Sequence, residues 1–192
     1  MTKSWLNLDQ PPEELRQVHD TDYYWYLRSA PFRRAFIEPL TDRVNRLSLP
    51  VLDVGCGEGY LLQEARVPYL GLDGSESAIQ KARQVYGAAR FTLGRLEDPQ
   101  LPVDFDFGTV VFGGIFSVLV KRAHYVDLVE LYRGLTPKLQ YLVIYDLETL
   151  DTQAFDDKYR RLSSYHASAY GLPEDFQEVK KHRKILTFQL DV

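Results

Sequence analysis

Three glycines at every second position, Gly55, Gly57 and Gly59, follow an aspartate, Asp53, that closes the apolar run Pro50-Val-Leu-Asp-Val. Glycines so spaced let a chain turn tightly, admit a ligand against bare main chain, and open a helix whose N–H groups point at that ligand. A dinucleotide loop spaces its glycines G-x-G-x-x-G, whereas this one reads G-x-G-x-G behind a carboxylate. A carboxylate at the mouth of the loop repels a pyrophosphate but attracts the ammonium of an amino acid. Twenty residues further on, Tyr69-Leu-Gly-Leu-Asp-Gly-Ser75 reads as a second buried strand ending in Asp73. An acid at that point accepts hydrogen bonds from both hydroxyls of a ribose. In strand–loop–helix–strand order, the two signals predict a nucleotide-cofactor site.

The stretch Val51–Gly59, continued by Tyr69–Ser75, resembles the first motifs of the class I S-adenosylmethionine-dependent methyltransferases, and the resemblance spans roughly residues 50–192. It implies S-adenosylmethionine as cofactor. By resemblance Asp53 contacts the methionine ammonium, directly or through water, while Gly55, Cys56 and Gly57 line the methionine portion and the ribose. Tyr60 either packs on the cofactor or fills the core. Asp73 takes the ribose, with Gly74 and Ser75 beside the adenosine. In Gly94-Arg-Leu-Glu97 the family usually carries an acid where this chain has Arg95. Leu96 then offers a backbone N–H to the adenine and Glu97 a carboxylate to its amino group. Phe112 and Gly113 stand where the family approaches the methyl donor, and Phe116 would flank the sulfonium. The polar-Pro-Pro-aromatic motif of amide methyltransferases is missing here, which argues against adenine-N6 or glutamine methylation.

Methyl transfer is an in-line displacement, so alignment alone supplies on the order of 7 kcal/mol and a base is optional. A hydroxyl or amine acceptor must nevertheless lose a proton, which a histidine or carboxylate can take near neutral pH. His166 and Asp146 are the candidate catalytic residues, with His19, His124 and Glu148 as further titratable groups. Tyr23, Tyr24 and Tyr26, in the densest aromatic patch, are candidates for a lid or for substrate stacking, together with Phe116. The basic run Lys180-Lys-His-Arg-Lys184 reads as a solvated hairpin tip.

The elements that must position these residues alternate: strands near 50–55, 68–73, 89–94, 106–112 and 140–146, and helices near 58–66, 75–86 and 120–133. Alternation predicts a doubly wound, mostly parallel Rossmann-like α/β sheet. A helical stretch near 151–163 and a hairpin of 175–181 and 184–190, turning at 181–183, would complete the family's seven strands with an antiparallel one. Residues 1–47, helical over 12–47, form an N-terminal extension over the core at 50–192, all in one domain.

Composition narrows the function. A net charge of −4 leaves no basic footprint, which disfavours a nucleic-acid substrate and favours a small molecule. The apolar run Val110–Val120 is too short to span a bilayer, and the single cysteine, Cys56, has no internal disulfide partner. These features predict a cytoplasmic protein without a membrane segment, and no residue spacing suggests a metal site. No pattern specifies an oligomeric state. The reading is therefore a methyltransferase acting on oxygen or nitrogen of a small molecule. The rival readings are methylation of a protein or RNA side group, and an inactive cofactor-binding module.

Overall fold

The computed structural model describes residues 28–169 and 182–190. Seven strands form one sheet: Val51–Val54 (β1), Tyr69–Asp73 (β2), Phe91–Leu93 (β3), Thr109–Gly113 (β4), Tyr141–Leu147 (β5), Arg160–Ser168 (β6) and His182–Gln189 (β7). Their order is β3-β2-β1-β4-β5-β7-β6, with β7 antiparallel to both neighbours and the first five parallel. Near-continuous apolar strands such as Val51–Val54 and Thr109–Gly113 are buried on both faces, as a parallel sheet between two helical layers requires. The order reverses between β1 and β4, so a crevice opens at the carboxyl ends of these strands.

One face is covered by a helical run (α1), α-helical over Ala30–Phe32, π-helical over Arg33–Ile37 and α-helical again over Glu38–Leu47, and by Glu76–Tyr86 (α2). Phe32, Phe36, Leu40, Val44, Ile79 and Ala82 pack there against Val51, Val111, Val143 and Ile185. The opposite face carries Tyr125–Arg133 (α3) and the short Gln153–Asp156 (α4). There Leu128, Tyr132 and Phe155 meet Leu52, Val110, Leu142 and Phe188. Each fully buried aliphatic or aromatic side chain contributes about 1.5–3 kcal/mol, so the two layers hold the strand ends in fixed register.

Three expectations are corrected. Residues 58–66 form successive turns rather than a helix. Gly57 and Gly59 both hold left-handed backbone, with φ of 53° and 80°, and Pro68 follows too soon for a helix to recover its nucleation cost. Within 151–163 only Gln153–Asp156 is helical, and β6 begins at Arg160. Beyond Tyr159 the periodicity is two, with Tyr165 and Ala167 turned toward α1 and the alternate residues Ser164 and His166 exposed. The partner of β7 is therefore β6, and His182 and Arg183 belong to β7 rather than to a turn. Arg183 and Lys184 are buried, the Arg183 guanidinium lying 5.6 Å from the Tyr145 ring centre and the Lys184 ammonium donating to the Leu150 carbonyl. Their alkyl stems cover apolar surface while the charged heads find partners, so they do not form a solvated tip. Residues 1–27, and the 175–181 half of the expected hairpin, lie outside the described residues.

Candidate cofactor and acceptor site

The glycine loop is tied to β2 and to itself. The Gly55 and Cys56 N–H groups donate to the Leu72 carbonyl at 2.8 and 3.1 Å, and Gly59 N–H donates to the Cys56 carbonyl at 2.9 Å. Gly55 has φ of 73°, and a Cβ there would stand 2.2 Å from Ile115 Cδ1, so conformation and close packing both demand glycine. The Cys56 thiol is buried, and burial, with the Asp73 and Asp53 charges, pushes it well above its ordinary value. It is a neutral packing group, and only its backbone can face a ligand.

Asp53 is completely buried in β1, opposite Gly71 of β2 and Val111 of β4. Its Oδ2 accepts the Tyr69 hydroxyl at 3.1 Å, while Oδ1 is buried without a hydrogen-bond partner among the described residues. Burial carries its carboxyl up to about 7; the Tyr69 hydrogen bond opposes the shift and the Asp73 charge adds to it. A buried carboxylate oxygen without a partner is costly unless a cation completes it. Asp73, at the tip of β2, accepts the Gly57 N–H on Oδ2 and the Ser75 N–H on Oδ1, both at 2.8 Å. Each oxygen retains a second acceptor direction. Ser75 also caps α2, its hydroxyl accepting the Ala78 N–H at 3.3 Å. Beside it Gly74 is open, the nearest atom to an added Cβ being the Gly94 carbonyl oxygen at 3.7 Å. Two carboxylates, one with an oxygen left over, and bare backbone along the same strand ends fit a ligand with an ammonium, a ribose and an adenine. The residues that would hold S-adenosylmethionine are therefore Asp53, the Gly55–Gly57 backbone, Asp73, Gly74 and Ser75.

In the loop after β3, Arg95 and Asp98 form a bridge that tightens the chain, and the Arg95 guanidinium pairs with Glu97 at 2.6 Å. The Leu96 carbonyl accepts the Tyr132 hydroxyl at 3.2 Å, which leaves its side chain half-buried against the α3 layer. The basic residue at the family's acidic position is thus bound to an acid two places on. Tyr60 turns outward: its hydroxyl donates to Glu58 at 2.5 Å and the Arg28 guanidinium lies 5.4 Å from its ring centre.

Around β4 and β5 the structure departs from expectation. Phe116 is fully buried, packed on Phe112, Tyr125 and Phe155 at centroid distances of 5.0, 5.0 and 4.8 Å, so it cannot form a lid or flank a sulfonium. Phe112 is equally buried, and only its backbone reaches the strand end. Gly113 makes room for Leu61, whose Cδ1 would lie 2.4 Å from an added Cβ. Asp146 is buried with its oxygens accepting the Ser117 N–H and hydroxyl and the Leu147 N–H. Burial raises its pKa against those hydrogen bonds, and the carboxylate serves to hold the Ser117 loop to β5.

His166 stands on edge strand β6, opposite Lys184, with Nδ1 2.7 Å from Glu148 Oε1 just beyond β5. Nearby, Ser168 Oγ meets His182 Nδ1 at 2.6 Å. Glu148 follows β5, His182 opens β7, and His166 and Ser168 belong to β6, so the group lies on the far side of β5 from β4 and the glycine loop. Sequence reading missed Tyr69 as the partner of Asp53, Ser117 as the partner of Asp146, and the Ser168–His182 pair. The signal for Tyr69 is the glycine two places on, which leaves the hydroxyl its space. His19, Tyr23, Tyr24 and Tyr26 lie outside the described residues, and His124 pairs with Asp127 at the start of α3.

Residues 47–185 match the model of a family described as a methyltransferase domain. No curated protein matches the sequence. Among solved structures, the N-methyltransferase NodS from Bradyrhizobium japonicum, in complex with S-adenosyl-L-homocysteine, aligns with a TM-score of 0.67 at 14% identity over 94% of this chain and 98% of its own. A TehB-like SAM-dependent methyltransferase from Corynebacterium glutamicum aligns at 0.63 and 18% identity, covering 93% of this chain and 100% of its own. Magnesium protoporphyrin IX methyltransferase from Synechocystis, with bound SAH, aligns at 0.60 and 15% identity, covering 93% and 99%. At these identities the structural likeness concerns the fold. Among the described residues no helix is long and apolar enough to cross a membrane.

Proposed function

Since this chain belongs to the methyltransferase-domain family and takes S-adenosylmethionine as methyl donor, we propose that it methylates an oxygen or nitrogen atom of a small-molecule acceptor, with His166 as the proton acceptor. The observation that carries the reading is the 2.7 Å contact between His166 Nδ1 and Glu148 Oε1 at the carboxyl edge of the sheet. A carboxylate only accepts, so this contact places the ring proton on Nδ1 and leaves the Nε2 lone pair free for the acceptor's proton.

When bound, the cofactor supplies an electrophilic methyl group on a sulfonium sulfur. Asp53 and Asp73 bind and orient its two polar ends, while the glycine loop brings backbone against the region between them. Nε2 of His166 takes the proton that a hydroxyl loses as it attacks, or that an ammonium gives up to become the attacking amine, and Glu148 stabilises the resulting imidazolium. Asp146 is already fitted with three donors, and its part is to fix the Ser117 loop beneath the acceptor. Two further facts support a small acceptor. The net charge of −4 disfavours a polyanionic acceptor. One fold neighbour carries a name that denotes methylation of a discrete molecule, magnesium protoporphyrin IX methyltransferase, and another is named an N-methyltransferase.

The test is release of S-adenosylhomocysteine when the protein and S-adenosylmethionine meet separate panels of small phenols and amines, total RNA, and unfolded protein. Turnover with members of the small-molecule panel supports the reading. Turnover confined to RNA or protein overturns it.

A further inference from the structure

Tyr69 begins β2, two residues before Gly71 and four before Asp73, yet its hydroxyl reaches Asp53 on β1. It does so because its ring leans along the strand over Gly71. A Cβ on Gly71 would lie 2.8 Å from the Tyr69 Oη, 2.8 Å from Cys56 Sγ and 2.7 Å from Phe91 Cδ1. The ring is held on its other sides by Phe91, at a centroid distance of 5.7 Å and an interplanar angle of 71°, and by the Arg90 guanidinium 4.9 Å from its centre. The phenol thus has one place to go. It occupies Oδ2 of Asp53 and leaves Oδ1 over.

We propose that Tyr69 is a positioning residue for the methyl donor, its phenol fixing one oxygen of Asp53 so that the other is presented to the donor's ammonium and the bond favours the ionised carboxylate. The inference rests on the assignment of Asp53 to that ammonium. The titratable groups facing Asp53 are Tyr69 and Asp73 of β2 and Cys56 of the loop; Arg90 faces Tyr69 from behind. Asp73 disfavours a second negative charge, Cys56 stays a neutral thiol, and Tyr69 is the group that opposes protonation of Asp53. Burial and the Asp53 charge push the phenol itself well above its ordinary value, so it remains a donor across the working range. Binding of an ammonium selects ionised Asp53, and affinity therefore rises with pH through neutrality. Without the phenol the carboxyl protonates more readily and that rise moves to higher pH.

The experiment is calorimetric titration of the ligand-free chain with S-adenosylhomocysteine, which carries the same ammonium, between pH 5.5 and 8.5, on wild type, Tyr69→Phe and Asp53→Asn. Tyr69→Phe should bind about tenfold more weakly than wild type at pH 6 and within about threefold of it at pH 8.5, as loss of one hydrogen bond to a charged group implies. An equal loss at every pH, or none, overturns the inference. Asp53→Asn separates the two claims: wild-type affinity in that variant refutes the role of Asp53 itself, whatever Tyr69 does. If Tyr69→Phe does not fold, carbon-13 spectra of the ligand-free wild type answer instead. The Tyr69 Cζ and Asp53 Cγ resonances should titrate with one midpoint, and a Tyr69 signal indifferent to that midpoint overturns the proposal.

Discussion

The Asp73 carboxylate accepts the Gly57 N–H at 2.8 Å, joining the tip of β2 to the middle of the glycine loop. Its other oxygen takes the Ser75 N–H at the start of α2. The residue assigned to the ribose thus also shapes the loop that receives the rest of the cofactor. Removing it would damage the site twice.

Asp73→Ala should therefore lower S-adenosylhomocysteine affinity at least about 100-fold and cost the ligand-free protein about 1–3 kcal/mol, the penalty of leaving backbone donors without acceptors. Asp73→Asn retains one carbonyl oxygen and should lose less in both measures. Titration calorimetry and urea unfolding check the pair. An Asp73→Ala protein as stable as wild type would show that the loop does not depend on this carboxylate.

Asp53 predicts a pH dependence of stability with a definite sign. Its carboxyl is raised to about 7 in the folded chain from an ordinary value near 3.8. Between those values the folded state binds more protons than the unfolded one, so stability falls as pH rises from about 4 through about 7. Asp53→Asn removes the ionisation. The ligand-free variant should then be more stable than wild type at pH 8, by on the order of a few kcal/mol, and indistinguishable near pH 4, while losing cofactor affinity. Melting curves at pH 4, 6 and 8 measure the gap, and a gap that does not widen with pH refutes the assignment.

Gly55 and Gly114 share left-handed backbone, with φ of 73° and 69°, but differ in surroundings. An added Cβ meets Ile115 at 2.2 Å at Gly55 and nothing within 4 Å at Gly114. Gly114→Ala should therefore cost only the conformational term, about 1–2 kcal/mol. Gly55→Ala should cost an additional ~1–3 kcal/mol for overpacking a buried isoleucine. Urea midpoints for the two variants give the difference directly, and equal midpoints would mean that Ile115 moves aside freely.

These particulars show which parts of the molecule can be read from the chain. Strands β1, β2, β4 and β5 are legible because each must be apolar on both faces, and the acids at Asp53 and Asp73 stand out against that background. Helix α2 is legible from its Ser75 cap and Gly87 stop. The C-terminal third is harder to read. Arg160–Ser168 is half-exposed, so its alternation is weak, and the buried Arg183 and Lys184 carry charges that local pattern assigns to solvent. Phe116 misleads for a related reason. An aromatic after a Gly-Gly pair is compatible with a pocket wall, and only the rings of Phe112, Tyr125 and Phe155, brought from three other elements, make it core. The pairings of His166 with Glu148 and Tyr69 with Asp53 depend on strand register, which local sequence does not contain.

His166 offers the cleanest separation of chemistry from folding. It lies on an edge strand with its side chain 49% exposed, so His166→Ala should change stability by no more than about 0.5 kcal/mol. It touches no residue assigned to the cofactor, and S-adenosylhomocysteine affinity should be unchanged. As the base for the acceptor's proton, its loss should lower kcat about 100-fold with an acceptor identified by product release. Glu148→Gln keeps an oxygen for the Nδ1 proton but not the charge that stabilises the imidazolium, and should lose less, about tenfold. Single-turnover rates at saturating cofactor distinguish chemistry from product release. If His166→Ala turns over at the wild-type rate, the proton leaves by another route, and the ring on β6 serves only the strand's edge.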